Sequence, residues 1–314
     1  MQVQVESDRP LRFDDGSPVR AASALAPLGA GWLVAQDDAT HAAWLLDGGV
    51  RRLRLLPPVE GLDVFGEADG SKHLKPDLEA ASGVQLGTRS AVLLLGSGST
   101  AARRRAVLVL DEAEPTVEVG GLGGLYDAVA VALGVPDGEL NLEGVARNGP
   151  VLRWFQRGNL AAGVPNGSVD VDLPALLEAL RGRRDPGDVP LRAARHYELG
   201  QVLGVGLAAT DAVALPGGRV LLSAAAEDTP NAVDDGPVVA AALALLDDDE
   251  VLDTVALPQV GGVVPKVEGL GVRELLPDGA RLIAVVDADD PLAPSVELTL
   301  RVRWERPGSR RVSG

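Results

Sequence analysis

The sequence has no cysteine, few aromatic residues and no long apolar run, and each absence excludes a class of protein. Without cysteine there is no disulfide framework, no thiolate metal site and no cysteine nucleophile. The longest apolar run, Val238 to Leu246, has about half of the roughly 18 residues that a membrane-spanning helix requires. The first residues, Met1 to Asp8, lack the basic and apolar segments of a signal peptide. We therefore expect a cytoplasmic protein that does not bind membranes.

The chain is rich in aliphatic residues and in negative charge. Hydrophobic residues make up 46% of its 314 residues, and aromatic residues only 3%, so a large core must consist mainly of Leu, Val and Ala. The formal net charge of −16 disfavours nucleic acids and anionic membrane surfaces as partners. The three histidines show no paired metal-ligand spacing, and we expect structural or exposed roles for them. The sequence does not determine the oligomeric state.

A sequence pattern recurs along the chain, and the segment 141–159 is its clearest copy. An acidic residue opens a short apolar strand, a glycine-containing turn follows, and a second apolar strand ends in polar residues. Two segments between copies, Leu125 to Leu133 and Pro174 to Leu180, predict short helices. The copies recur at intervals of about 60 residues and start at Ser23, Glu79, Glu143, Asp211 and Glu268.

The recurring short apolar runs, separated by Gly, Asp and Pro, predict an all-β fold. Repeats of about four strands are typical of a β-propeller, here with five blades. Six blades would result if 120–140 or 192–205 hides a degenerate copy. The fifth copy has only three strands, so we expect the N-terminal segment, Gln2 to Phe13, to supply the missing outer strand and close the ring. We predict one propeller domain over residues 1–304 and a disordered polar tail over residues 305–314.

Four of the five copies place a carboxylate where the innermost strand begins, so a propeller would gather these groups around its central channel. Converging like charges repel, and they require a cation, basic neighbours or protonation. Oxygen-only ligands favour Ca²⁺ or Mg²⁺ over zinc. Alternatively, each carboxylate fastens its blade to the next by accepting backbone N–H groups, or acts as an acid or base. The candidate metal ligands, with Ca²⁺ as the candidate ion, are Glu79, Glu143, Asp211 and Glu268.

Further polar residues follow the second strands and would lie at the mouth of the same channel. Lys75 and Lys266 stand beside ring carboxylates, where they would either neutralise the ring or hold an anion. The segment Gly96 to Thr100 combines small residues with nearby arginines, a composition suited to phosphate or carboxylate, or else to a flexible hairpin. The candidate ligand-binding residues are Lys75, Ser97, Ser99, Arg103, Arg157, Asn159 and Lys266.

The recurring Glu-Gly-Leu/Val of the innermost strands, with Asp- and Asn-rich second-strand ends, resembles the broad group of phytase-like and esterase-like β-propellers. The segments 75–79, 96–99 and 141–144 are similar to parts of an uncharacterised bacterial family within that group. The resemblance implies calcium and phosphate esters, with the four ring carboxylates on the metal side and Lys75 and Arg103 on the anion side.

Three functions follow from these observations. The leading prediction is a propeller that binds a small, anionic ligand at the mouth of the central channel, with a divalent cation as a possible bridge. The first alternative is a metal-dependent hydrolase of a phosphoester or lactone, in which a carboxylate acts as base and a metal-bound water as nucleophile. The second alternative is a protein-interaction scaffold that uses the blade rims.

Overall fold

The fold is a five-bladed β-propeller, as the sequence predicts. Five antiparallel sheets circle a common axis, and the innermost strand of each sheet packs beside the innermost strands of the two neighbouring sheets. The computed structural model describes residues 1–68, 70–136, 138–159, 161–227, 237–287, 290 and 292–304. The predicted tail, residues 305–314, lies outside the described residues.

Each blade is a meander that runs from an inner strand near the axis to an outer strand at the rim. The chain begins with β1 (Gln2–Pro10), which belongs to the last blade. Blade 1 contains β2 (Ala22–Leu28), β3 (Gly31–Gln36), β4 (His41–Leu46) and β5 (Gly49–Arg54), and blade 2 contains β6 (Leu78–Leu86), β7 (Arg89–Gly96), β8 (Arg105–Leu110) and β9 (Thr116–Gly121). Blade 3 contains β10 (Leu142–Asn148), β11 (Val151–Gln156), β12 (Asn166–Asp172) and β13 (Leu191–Tyr197). Blade 4 contains β14 (Gln201–Val202), β15 (Val205–Ala214), β16 (Val220–Glu227), β17 (Val238–Asp247) and β18 (Glu250–Ala256), and blade 5 contains β19 (Lys266–Leu276), β20 (Gly279–Asp287) and β21 (Val296–Arg303).

The N-terminal strand closes the ring. β1 pairs antiparallel with β21, from Gln2 opposite Arg303 to Pro10 opposite Val296, and becomes the outer strand of blade 5. The predicted closure is therefore confirmed. Pairing continues as far as Pro10, because the proline stands at the last position of the strand, where its missing N–H is tolerated.

Two helices occupy the segments in which helices were predicted. α1 (Gly123–Leu133) ends at Gly134, whose φ of +65° is the left-handed conformation of a helix C-terminus. α2 (Leu173–Leu180) begins after Asp172, whose carboxylate accepts the N–H of Ala175 at 3.0 Å. Among the described residues, neither candidate segment holds a sixth blade: they contain α1 and the strands β13 and β14. No helix in the described part of the chain is long and apolar enough to cross a membrane.

The core lies between the faces of adjacent blades and consists mostly of Leu, Val and Ala. Leu33 of blade 1, for example, packs in one buried cluster with Leu94 of blade 2. Between blades 2 and 3, α1 adds the ring of Tyr126, which meets Trp154 edge-on at 4.9 Å between ring centroids. The Tyr126 hydroxyl donates to the carbonyl of Gly96 at 2.7 Å, so this helix is fastened to the end of β7.

Every inner strand carries a β-bulge, which lies near the start of the strand in four blades and in the middle of β15 in blade 4. Gly144 takes a φ of +36°, and a Cβ added there would lie 2.6 Å from the Cα of Asp211 on the next inner strand. Gly269 is similar, since its Cβ would lie 3.1 Å from the carbonyl carbon of Ala24. The glycine of the recurring Glu-Gly pair thus lets neighbouring inner strands touch. The bulge residues are Ser23, Glu79, Gly144, Thr210 and Glu268.

We expect Gly144→Ala to lower the free energy of unfolding by about 2 kcal/mol or more, because the new methyl group meets backbone and the positive φ is strained. Gly149→Ala is the matched control in the same hairpin: its φ is +59°, but nothing lies within 4 Å of an added Cβ. Gly149→Ala should lower the free energy of unfolding by about 1 kcal/mol, from backbone strain alone. Urea unfolding measures both values. Equal losses would mean that the two inner strands do not touch at Gly144.

Candidate functional site

The inner strands begin, and the second strands end, at the same end of the propeller, because each first hairpin is antiparallel. Charged side chains from all five blades or their connections meet there. We call this group the axial cluster. Its acidic members are Asp37, Asp77, Glu79, Glu143, Asp211, Glu227 and Glu268, and its basic members are Lys75, Arg103, Arg157 and Lys266.

The first ion-pair chain of the axial cluster links blades 1 and 2. Lys75 Nζ lies 2.5 Å from Asp37 Oδ2 and 2.7 Å from Asp77 Oδ1. Arg103 Nη1 lies 3.0 Å from the other oxygen of Asp77. Burial opposes ionisation of Asp77, but the charges of Lys75 and Arg103 outweigh it and lower the pKa of this carboxyl. Asp77 is therefore a buried carboxylate with both oxygens occupied.

The predicted anion-binding loop is occupied by that same carboxylate. Ser97 donates its hydroxyl hydrogen to Asp77, and Ser99 Oγ accepts from Arg103 Nη1 at 2.9 Å. The loop packs tightly on α1, since a Cβ added at Gly98 would lie 2.3 Å from the ring of Tyr126. The loop is thus neither a flexible hairpin nor an open anion cradle.

The second ion-pair chain links blades 3, 4 and 5. Arg157 bridges Glu143, at 3.0 Å, and Glu227, at 2.5 Å. Lys266 lies 3.3 Å from Glu227 and 3.0 Å from Glu268. All four basic members of the axial cluster therefore contact carboxylates, as the prediction of neutralising ion pairs requires.

Two of the recurring strand-start positions fasten blades together directly. Asp211 Oδ2 accepts the backbone N–H of Leu270, on the next blade, at 2.6 Å. Ser23 donates its hydroxyl to the carbonyl of Leu78 at 2.6 Å, again on the next blade. Asp211 thus has the fastening role that the sequence left open for the carboxylates, whereas Ser23 fastens its blade as a donor. Asn159 lies apart from both ion-pair chains: its Oδ1 accepts the N–H of Ala161 in its own loop, at 3.1 Å.

The seven carboxyl groups of the axial cluster outnumber its four cations by three, and three of these carboxyl groups have oxygens without a hydrogen-bond partner among the described residues. Glu79 makes no hydrogen bond or ion pair with any described residue, and Glu143 Oε2 and Asp211 Oδ1 are buried without a hydrogen-bond partner. Burial, followed by the charges of Asp77 and Asp37, raises the pKa of Glu79 well above its ordinary range.

The pKa values of the other two carboxyl groups, Glu143 and Asp211, are raised as well. Burial raises the pKa of Glu143 to about 7, although Arg157 opposes the shift. Burial also raises the pKa of Asp211 well above its ordinary range, against the N–H groups of Leu270 and Ala212. The axial cluster therefore holds carboxyls that ionise only at a cost, unless a positive charge joins them.

The carboxylates that lie close enough to share one metal ion include one of the four that the sequence predicts as ligands. Oxygens of Asp37, Asp77 and Glu79 lie within 4.8 Å of one another, and this is the one such group among the described residues. Of the predicted ligands only Glu79 belongs to it. Asp37 follows a second strand and Asp77 precedes an inner strand, so their proximity depends on how two blades pack, which the repeat pattern does not specify.

A five-bladed propeller with a buried cluster of charges at one end of its axis is the class that the fold and the site define. The chain belongs to a family of unknown function, DUF6910, whose model matches residues 71–291. A comparison with curated proteins finds no match. The family assignment does not confirm the resemblance to phytase-like propellers.

Solved structures share the architecture only distantly. A hypothetical protein from Leishmania major is 13% identical, with a TM-score of 0.48 over 96% of this chain and 91% of that chain. A luciferin-regenerating enzyme is 12% identical, with a TM-score of 0.43 over 91% of this chain and 79% of that chain. A putative exported protein from Bacteroides fragilis is 8% identical, with a TM-score of 0.41 over 96% of each chain. These likenesses are too distant to carry an argument about function.

The pKa of Glu143 predicts that stability falls as pH rises. Between the ordinary value of 4.5 and about 7, the folded protein keeps a proton that the unfolded chain has lost, so the free energy of unfolding decreases through that window. The loss should be on the order of 3 kcal/mol for this group. Urea unfolding at several pH values between 4.5 and 8 measures it.

Glu143→Gln should show a smaller decrease over this pH range, while the groups with similarly raised pKa values, including Asp38, keep part of it. Glu112→Gln, which removes a carboxylate paired with Arg89 at the surface, serves as the control and should follow the wild type. If wild type and Glu143→Gln lost the same stability, Glu143 would not hold the proton.

Proposed function

We propose that this propeller binds a small, hard cation at the axial cluster, and that an anionic ligand is held through that cation. The observation that carries the proposal is the surplus of carboxyl groups, three of which have oxygens without a partner among the described residues. A cation would satisfy these oxygens and lower the cost of ionising them.

A ligand bound directly by the basic residues is less compatible with the contacts. Lys75, Arg103 and Arg157 each already contact two side chains, at least one of them a carboxylate. An anion would have to displace these buried partners and leave carboxylates uncompensated, which costs several kcal/mol. The contacts therefore favour an anionic ligand bound through a cation over one bound directly by the basic residues.

The chemistry of the donor set fits Ca²⁺ or Mg²⁺. Asp37, Asp77 and Glu79 offer carboxylate oxygens only, and hard divalent cations prefer such ligands. Glu143 acts electrostatically on Glu79, so its negative charge also favours a cation there. The resemblance to phytase-like propellers, which implies calcium and phosphate esters, agrees with this choice.

Calorimetric titration with Ca²⁺ and Mg²⁺ at pH 8 tests the proposal. We expect saturable binding to the wild-type protein and a rise in melting temperature, since a ligand of the folded state stabilises it. Glu79→Gln should weaken binding by about tenfold or more, because it removes one charged ligand. Asp127→Asn, at an exposed ion pair with Arg104, is the control and should bind as the wild type does. No response to either ion would refute the proposal.

A second candidate function, hydrolysis of a phosphoester or lactone, is favoured by one observation. Glu143 has a pKa of about 7, the range suited to a general base at neutral pH, and its Oε2 has no partner among the described residues. In that role it would take the proton of the attacking water.

A panel of phosphoesters and lactones, assayed with Ca²⁺ or Mg²⁺ present, tests hydrolysis. We expect a rate that rises with pH through about 7 in the wild type and falls by about a hundredfold or more in Glu143→Gln. Turnover that is unchanged in Glu143→Gln would exclude this residue as the base. No turnover across the panel would favour the binding function.

A further inference from the structure

The ammonium group of Lys75 lies among the carboxylates that best fit a metal ion. Its ammonium lies 2.5 Å from Asp37 and 2.7 Å from Asp77, two of the three residues whose oxygens could share an ion. Calcium–oxygen distances are roughly 2.3–2.6 Å, so an ion bound to the same oxygens would overlap the ammonium. The third residue, Glu79, has no direct partner among the described residues.

We propose that Asp37, Asp77 and Glu79 form the cation seat of the axial cluster, and that the Lys75 ammonium is a tethered occupant which an incoming cation displaces. This inference rests on the proposed cation-binding function. It adds the location of the seat and an expected limit on the wild-type affinity, since each binding event must first break the two ion pairs of Lys75.

A second observation is a further buried carboxyl group on the next blade, which acts electrostatically on Glu79. Glu143, on the inner strand of the next blade, is 4% exposed, and its Oε2 has no hydrogen-bond partner among the described residues. Arg157 contacts its Oε1, and when Glu143 is ionised its negative charge acts on Glu79. A divalent cation in place of one ammonium would raise the positive charge where these carboxylates converge.

The position of Lys75 also allows its side chain to move away from these carboxylates. It follows the short 3-10 turn Lys72–Leu74 in the connection between blades 1 and 2, and its side chain is 15% exposed. Lysine has a flexible four-carbon stem and a strongly hydrated head, so the ammonium can move to solvent without moving the strands. Lys266, by contrast, is 7% exposed and stands at the first residue of β19.

The decisive comparison is Ca²⁺ titration of wild type, Lys75→Met and Lys266→Met. Both variants remove one positive charge from the axial cluster, so Lys266→Met controls for net charge. We expect Lys75→Met to bind Ca²⁺ at least about tenfold more tightly than wild type, and Lys266→Met to gain markedly less. Equal gains in the two variants, or no gain in Lys75→Met, would overturn the tethered-occupant inference while leaving cation binding in place.

Chemical rescue tests the seat with an ammonium itself. Lys75→Ala removes the equivalent of propylamine, so propylammonium should raise the melting temperature of this variant and compete with Ca²⁺, but leave wild type unchanged. Asp37→Asn in the same background should abolish the rescue. Rescue without any Ca²⁺ binding would refute the divalent-cation function and retain the ammonium seat. Absence of both would refute both.

A measurement on the wild-type chain covers the case in which the variants do not fold. The sequence has three lysines, Lys72, Lys75 and Lys266, so the side-chain ammonium signals of a ¹⁵N-lysine-labelled sample are few. Saturating Ca²⁺ should shift one of the ion-paired ammonium signals to the position and exchange rate of a solvent-exposed lysine. If Ca²⁺ binds and all three signals stay in place, Lys75 is not displaced.

Discussion

The close approach of neighbouring inner strands is the constraint on which the rest of the structure depends. At Gly144 the backbone of blade 3 touches that of blade 4, and at Gly269 the backbone of blade 5 touches that of blade 1. Bulges at these points re-aim the strand-start side chains. Because five such strands begin at one end of the axis, the fold itself brings like charges together and then requires something to compensate them. The ion-pair chains compensate most of the carboxylates, and the surplus is the part that can serve binding.

The charges gathered in the axial cluster therefore lower the stability of the fold unless they are compensated. Buried ion pairs are weak contributors to stability, whereas a buried charge without a partner is strongly destabilising. Asp77, held by two cations and a hydroxyl, represents the compensated extreme. Glu79, a few ångströms away, is only half-buried, and its side chain has no hydrogen-bond or ion-pair partner among the described residues. A fold selected only for stability would replace such a residue with an apolar one, which is why its presence supports a functional reading.

The sequence predicts the architecture well because the repeat itself is local. Each copy places an acidic residue and two apolar strands in order, and from these follow the blades, the ring and the closing strand. The pattern does not predict β13, the fourth strand of blade 3, because Leu191–Tyr197 is rich in Arg and Ala and lacks a clear apolar alternation. The repeat pattern does not specify how the four predicted ligands are placed around the axis. Glu79 and Glu268 occupy bulges, whereas Glu143 precedes its bulge and Asp211 follows its own, so residues aligned in sequence do not point alike.

The pairing of β1 with β21 has a consequence for synthesis on the ribosome. β1 leaves the exit tunnel long before its partner, because Val296–Arg303 is translated only after the strands of blades 1 to 4. Until then blade 5 lacks its outer strand, and the nascent protein exposes unpaired backbone donors at two places, on β1 and on the unfinished blade. Such edges invite pairing with other chains. The alternating polar side chains of β1, and the proline at its end, are the features that would protect it during that interval.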